Sequence, residues 1–228
     1  MSYQLSKTFD FLNQLINNNN RDWFSTHKNR YEEAQNNMIG FADHVLVEMQ
    51  KQDHLETTSG KKSLQRIYRD IRFSKDKTPY KKHFGGSFKR ATHLLRGGYY
   101  YHIQPNNSFI AGGFWGPNKE DLLHIRKHIA SDEQALRDVL NGTSFKDNFG
   151  ELQGEQLKTA PKGFDKEHTA IDLLRYKQFI VRHSFTDKEV LAPDFHHKIA
   201  EGFQLMRPFF DYMSEVLTLD LNGTPLER

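Results

Sequence analysis

Apolar positions fall at helical spacing over most of this chain and alternate with polar ones only in short stretches, a pattern of helices with a few strands between them. Leu5, Phe9, Leu12 and Ile16 form the first helical stripe, and the asparagines at 17–20 end it with residues that favour turns and caps. Asn20 is placed to cap a second helix with Trp23, Phe24, His27, Tyr31, Ala34 and Met38 on one face. Gly40 is expected to divide that helix from a continuation through Phe41, Val45, Leu46 and Met49. After a polar break at 52–62, Leu64, Ile67, Tyr68 and Ile71 are spaced for a short helix, with a strand as the alternative that their β-branched members allow. Pro79 lacks a backbone donor and pushes Thr78 toward an extended conformation, so 73–80 is expected as a loop with an extended exit.

The alternating rhythm appears at 98–104, where Tyr99, Tyr101 and Ile103 oppose Tyr100, His102 and Gln104. A second strand is expected at 109–115 after Pro105-Asn106-Asn107-Ser108, and the alternation with that four-residue connection predicts an antiparallel hairpin. Gly112 and Gly113 within the second strand ask for a bulge or for close approach of another backbone, a ligand being the alternative neighbour. Helical stripes resume in Leu122, Ile125 and Ile129, then in Ala135, Leu136, Val139 and Leu140, closed by Asn141-Gly142. Residues 149–163 suggest a hairpin or an irregular strand pair around Gly154, 170–176 a helical turn or two, and 178–185 a strand. The last long helix runs over 194–217, with Pro208 kinking or restarting it. With no repeat or linker in view, the expected fold is one α+β domain over 1–228: a mostly antiparallel sheet flanked by helices, with an N-terminal helical pair and a long C-terminal helix.

Composition adds that rings supply much of the core, because only 36% of residues are apolar while Phe, Tyr and Trp number 18, 9 and 2. The absence of cysteine excludes disulfides, thiolate chemistry and cysteine-held metals. The N-terminus lacks the pattern of a secretory signal, and no run approaches the roughly 18 apolar residues of a membrane span, so a cytoplasmic protein without a membrane partner is expected. Net charge is only +3, with 32 basic residues against 29 acidic, so evidence for an anionic partner has to come from local clustering.

That clustering is strongest at 69–82. Arg69, Arg72, Lys75, Lys77, Lys81 and Lys82, with Arg66 just upstream, surround only Asp70 and Asp76, and Phe73, Pro79 and Tyr80 stand between them as apolar anchors. Arginine offers a bidentate fork and lysine a mobile point charge, so the set suits a phosphate or carboxylate. The competing reading is an internal ion-pair network that fastens the loop, with Phe73 and Tyr80 as buried pegs. Asp76 between two lysines should be ionised, which disfavours it as a general acid and leaves it able to orient a hydroxyl, a water or Mg²⁺. Trp23 and Trp115 are expected in the core.

Histidines form a looser group. His124 and His128 stand one helical turn apart but lack the glutamate of a His-Glu-x-x-His motif, and no metal is assigned to them. His196 and His197, adjacent on a helix, are expected to point apart, whereas His83 and His102 are expected near the basic loop, where one could act as acid or base. Gly85-Gly86-Ser87 lacks the Gly-Lys-Ser/Thr ending of a phosphate-binding loop, and no nucleophile elbow surrounds Ser74 or Ser87.

Phe11-Leu12-x-x-Leu15, Asn19-Asn20-Arg21-Asp22-Trp23-Phe24 followed by His27 and Tyr31, the stretch 69–81, and Gly112-Gly113-Phe114-Trp115 together resemble the bacterial and fungal family DUF 2461. The resemblance spans nearly the whole chain. It implies a single α+β domain and carries no activity, cofactor or catalytic residue with it. The functional expectation therefore rests on side chains: a binding protein for an anionic, phosphate-bearing small molecule held by Arg69, Arg72, Lys75, Asp76, Lys77, Tyr80 and Lys81. The alternative is an enzyme acting on an anionic substrate at the same place, with Asp76 and His83 as candidate catalytic groups for metal- or acid/base-assisted hydrolysis or transfer. Association with nucleic acid comes third.

Overall fold

The computed structural model describes residues 3–226. Among them the chain forms eleven helices and a four-stranded antiparallel sheet, the expected α+β architecture. The N-terminal part comprises α1 (Leu5–Asn17), α2 (Arg21–Thr26), α3 (Lys28–Gln50) and α4 (Gly60–Ser63). The strands β1 (Phe84–Lys89), β2 (Gly98–Ile103) and β3 (Ser108–Phe114) follow, then α5 (Lys119–Ser131), α6 (Glu133–Asn141), α7 (Thr143–Phe149) and α8 (Ile171–Leu174). The chain ends with β4 (Phe179–Phe185), α9 (Asp187–Val190), α10 (Phe195–Leu205) and α11 (Arg207–Thr218). The strands pair in the order β1-β2-β3-β4.

The backbone groups into two compact units, each assembled from separated stretches. The first takes the chain up to Lys89 with Tyr100–Ile110 and Ser184–Glu201; the second takes Arg90–Tyr99, Ala111–His183 and the chain from Gly202 on. The sequence shows no linker because the units interleave along it.

In the first unit α1 packs along α3, burying Leu5, Phe9, Leu12 and Leu15 against the stripe that includes Ala34, Met38, Phe41, Val45 and Met49. Phe41 meets Tyr101 edge-on at 6.0 Å and Phe195 face-to-face at 5.7 Å between ring centroids, so helix, hairpin and α10 share one aromatic centre. The break between the second and third helices falls at His27 and not at Gly40. His27 donates from Nδ1 to the Trp23 carbonyl, competing with the helical ladder, whereas Gly40 is buried inside α3. The expected helix over 64–71 does not form. Leu64 pairs with Gly86 and Tyr68 with Tyr80, so this stretch is extended, and its β-branched Ile67 is buried.

The second unit is built on Phe114, Phe209, Phe210, Ile125, Ile129 and Leu136. Gly113 adopts φ +136°, and a Cβ there would overlap the Phe179 carbonyl, so close approach of a backbone explains the glycine. Stretch 151–157 pairs with β4 and the residues before it, through Gln153 with Ile180 and Gln156 with Tyr176, instead of folding on itself. Pro208 sits in the first turn of α11, so it restarts the helix and Met206 marks the break. Trp115, beyond the end of β3, is about half exposed, correcting the expectation that it lies in the core.

Candidate functional site

The basic cluster sits on a braced loop in the first unit. Stretches 64–69 and 79–86 run antiparallel, with Arg69 N donating to Pro79 O at 2.9 Å and Lys81 N to Ile67 O at 2.8 Å. From outside this ladder, Asn19 clamps Tyr80 by its backbone alone: its Nδ2 donates to Tyr80 O at 2.9 Å and its Oδ1 accepts from Tyr80 N at 3.1 Å. The Tyr80 ring stacks on Phe24 at 3.9 Å and is only 6% exposed. Tyr80 is therefore a peg of the loop, and Tyr68, which touches its ring at 5.6 Å, is the tyrosine that faces water at 57% exposure.

Within the loop, Ser74 N donates to Ile71 O at 3.3 Å and closes a tight turn with Arg72 and Phe73 at its corners. Asp70 anchors this turn by accepting from the Arg72 backbone at 3.2 Å and from its guanidinium at 2.6 Å. Arg69 ties the other side: Nη1 donates to Asp76 Oδ2 at 2.7 Å, to Thr78 O at 3.0 Å and to the Thr78 hydroxyl, while Nη2 donates to Ser74 Oγ at 3.3 Å. Lys77 Nζ donates to Ile71 O at 3.0 Å and Lys81 Nζ to Gln65 Oε1 at 3.0 Å. Phe73, expected to be a buried peg, is instead 94% exposed, because the turn holds it at a corner that points away from any core.

Beside this loop lies a groove of about 580 Å³ lined chiefly by Asn19, Arg21, Ile71, Asp76, Lys77 and Pro79. Asp76 is its carboxylate, and its pKa is lowered to about 2, first by the Thr78 backbone N–H and hydroxyl and then by Arg69. It stays charged and does not donate a proton near neutrality. Arg21 and Lys77 are exposed at the groove, and Lys75 is exposed on the same loop. None of the three has an acidic partner among the described residues. Burial, followed by the neighbouring Arg66, pulls the Lys81 ammonium below the usual lysine range.

His83 lies within the 79–86 stretch and stacks on His102 at 3.9 Å, which in turn stacks on Phe109 at 4.5 Å. Burial, with His102 and Lys81 adding to it, lowers the His83 pKa to about 3, so its ring is neutral near pH 7. His102 shares hydrogen bonds with the Tyr100 hydroxyl at 3.2 Å and with Gln104 Oε1 at 3.1 Å. His124 and His128 converge to 3.1 Å between Nε2 atoms, and the His124 nitrogen also meets Leu219 O at 2.8 Å. No group of three metal-ligating side chains forms among the described residues. His196 and His197 do not point apart: their rings lie 4.0 Å from each other at the start of α10, where Tyr3 shares a hydrogen bond with His196 at 2.8 Å.

The sequence profile of the conserved hypothetical proteins DUF2461 matches residues 7–212. The chain belongs to the DUF2461 family. The match runs from α1 into α11 and takes in the clamp, the groove and the entire basic loop. No curated protein and no solved structure shows significant similarity to this DUF2461 member. Sequence reasoning missed three participants: Asn19 as a backbone clamp, Arg21 at the groove and Tyr68 as an exposed ring. The signal for the first two was the Asn19-Asn20-Arg21 run, which reads as a helix cap until the loop is seen against it.

Proposed function

We propose that this DUF2461 protein binds an anionic, phosphate-bearing small molecule in the groove beside the 70–78 loop, and that it does so in the cytoplasm. The observation that carries this reading is the sorting of charge. Asp70 and Asp76 are each taken by an arginine of their own loop, while Arg21, Lys75 and Lys77 keep their charge toward solvent. A shallow groove bordered by exposed cations that have no acidic partner among the described residues favours an anion that accepts from an arginine fork and from lysines. Binding is favoured over catalysis because Asp76 is the one carboxylate lining the groove among the described residues and is held ionised, leaving it an orienting role.

Thermal-shift titration with inorganic tripolyphosphate, nucleotides and sugar phosphates, with and without Mg²⁺, tests the proposal. Wild type should be stabilised by at least one of these anions, whereas Arg21→Glu and the double variant Lys75→Glu/Lys77→Glu should lose the response. Arg21 is exposed, so Arg21→Glu should keep wild-type stability to within about 0.5 kcal/mol, whereas the double variant also gives up the Lys77 bond to Ile71 O and should lose about 0.5–1.5 kcal/mol while still folding. A wild type that responds to none of the compounds, or charge-reversed variants that respond as well as wild type, would rule the proposal out.

A further inference from the structure

Phe73 is the feature that anion binding alone leaves unexplained. No other phenylalanine among the described residues is exposed, and this one is held out by a turn pinned through Asp70, Arg69 and Lys77. The Arg72 guanidinium lies 5.9 Å from its ring centroid, and Tyr68 presents a second ring at the base of the same loop. Lys75 is two residues from Phe73, so their Cα atoms are at most about 7 Å apart. An exposed ring and an exposed ammonium without an acidic partner among the described residues are thus carried on one short turn. Rings interleaved with cations serve ligands that combine a π-face with phosphate, since stacking accepts any base and the cations take the backbone charge.

Resting on the anion-binding reading of the groove, we propose that its ligand is of the nucleotide type: an aromatic base stacks on Phe73, with Arg72 beside it, while Lys75, Lys77 and Arg21 hold the phosphate. A free nucleotide and a single-stranded nucleic acid share this chemistry. An anionic membrane surface fits less well, because apolar area at the tip amounts to one ring between Arg72 and Ser74, and interfacial anchoring needs a broader apolar face.

The test compares tripolyphosphate, ATP and a ten-residue single-stranded oligothymidylate by calorimetric titration on wild type, Phe73→Ala and Phe73→Tyr, with phosphatidylserine vesicles as a further arm. Removing an exposed ring should not disturb folding, so the variants remain interpretable. ATP or the oligonucleotide should bind wild type more tightly than tripolyphosphate does. Phe73→Ala should weaken that ring-bearing probe by about 5- to 150-fold and leave tripolyphosphate unchanged, while Phe73→Tyr retains wild-type affinity. Tighter binding of the oligonucleotide assigns the site to nucleic acid; equal or tighter binding of ATP assigns it to a free nucleotide. The inference is overturned if both ring-bearing probes bind no better than tripolyphosphate, or if Phe73→Ala binds them as wild type does. In either case tripolyphosphate binding that Lys75→Glu/Lys77→Glu abolishes leaves the anion groove standing. Capture by vesicles without binding of ATP or oligonucleotide overturns it in favour of a membrane, and failure of every phosphate probe removes both readings.

Discussion

Asp76 and His83 carry opposite charges when ionised, yet both have lowered pKa values and the two respond to acid in ways that can be told apart. Asp76 is stabilised as the anion by Thr78 and Arg69, so its contribution is present above the ordinary carboxylate range and disappears as pH falls toward about 2. His83 is kept neutral by burial; the unfolded chain takes up the proton first, and stability is lost as pH falls from about 6.5 toward about 3. Melting temperature followed from pH 7 to 4 should therefore drop in wild type and drop less in His83→Phe, which keeps a ring against His102. A slope unchanged by that substitution would show that another group governs the acid limb. The clustering of charge at 69–82 was legible from residue types alone. Which cations stay free was not, because that depends on the turn that Ser74 closes onto Ile71 and on Arg69 reaching past it to Asp76 and Thr78.

At the scale of elements, periodicity served where one face is buried and failed where the chain is held by partners distant in sequence. The stripes of α1 and α5 and the alternation at the start of β2 announce themselves, because burial on one side repeats at the period of the element. Stretch 64–68 misleads, since its spacing suits a helix while Gly86 and Tyr80 supply extended partners. The clamp from Asn19 is similarly invisible, as an amide bonded to a remote backbone leaves no periodic mark. Asn19→Ala should leave the Tyr80 N–H and C=O short of partners and destabilise the protein by about 1–3 kcal/mol, measured by denaturant unfolding. A loss under about 0.5 kcal/mol would mean that water replaces the amide. Gly113→Ala should cost about 1–3 kcal/mol from conformation alone, plus the overlap with Phe179. The same substitution at Gly116, where a Cβ meets nothing within 4 Å, is the control.

For the molecule as a whole, the interleaving of the two units along the chain decides how it can be dissected. The first unit draws Tyr101 and Phe195 onto Phe41 from stretches that lie far down the sequence. A fragment ending at Lys89 loses both rings and should show no cooperative thermal transition; a sharp melt from that fragment would mean that α1 and α3 suffice as a core. The second unit holds Arg90 fully buried, donating to Asp211 at 2.9 Å and to Arg96 O at 3.0 Å, with the Phe210 ring 5.6 Å away. Asp211→Ala takes one charged acceptor from a buried guanidinium and should destabilise the protein by about 1–3 kcal/mol, measured by denaturant unfolding. The α+β class could be read from the order of elements, whereas interleaved units leave no compositional boundary to read.

One consequence of the Asn19 clamp concerns how position 80 tolerates change. The amide grips only main-chain atoms and is blind to the side chain it holds, while the ring of Phe24 is indifferent to the main chain and reads only the side chain. The two constraints are separable: exchanging Tyr80 for another flat ring preserves both, a small residue there surrenders the stack but keeps the grip, and loss of Asn19 does the reverse. The rim of the groove thus has two independent fastenings, and drift in either one alone leaves the other to keep the loop in register.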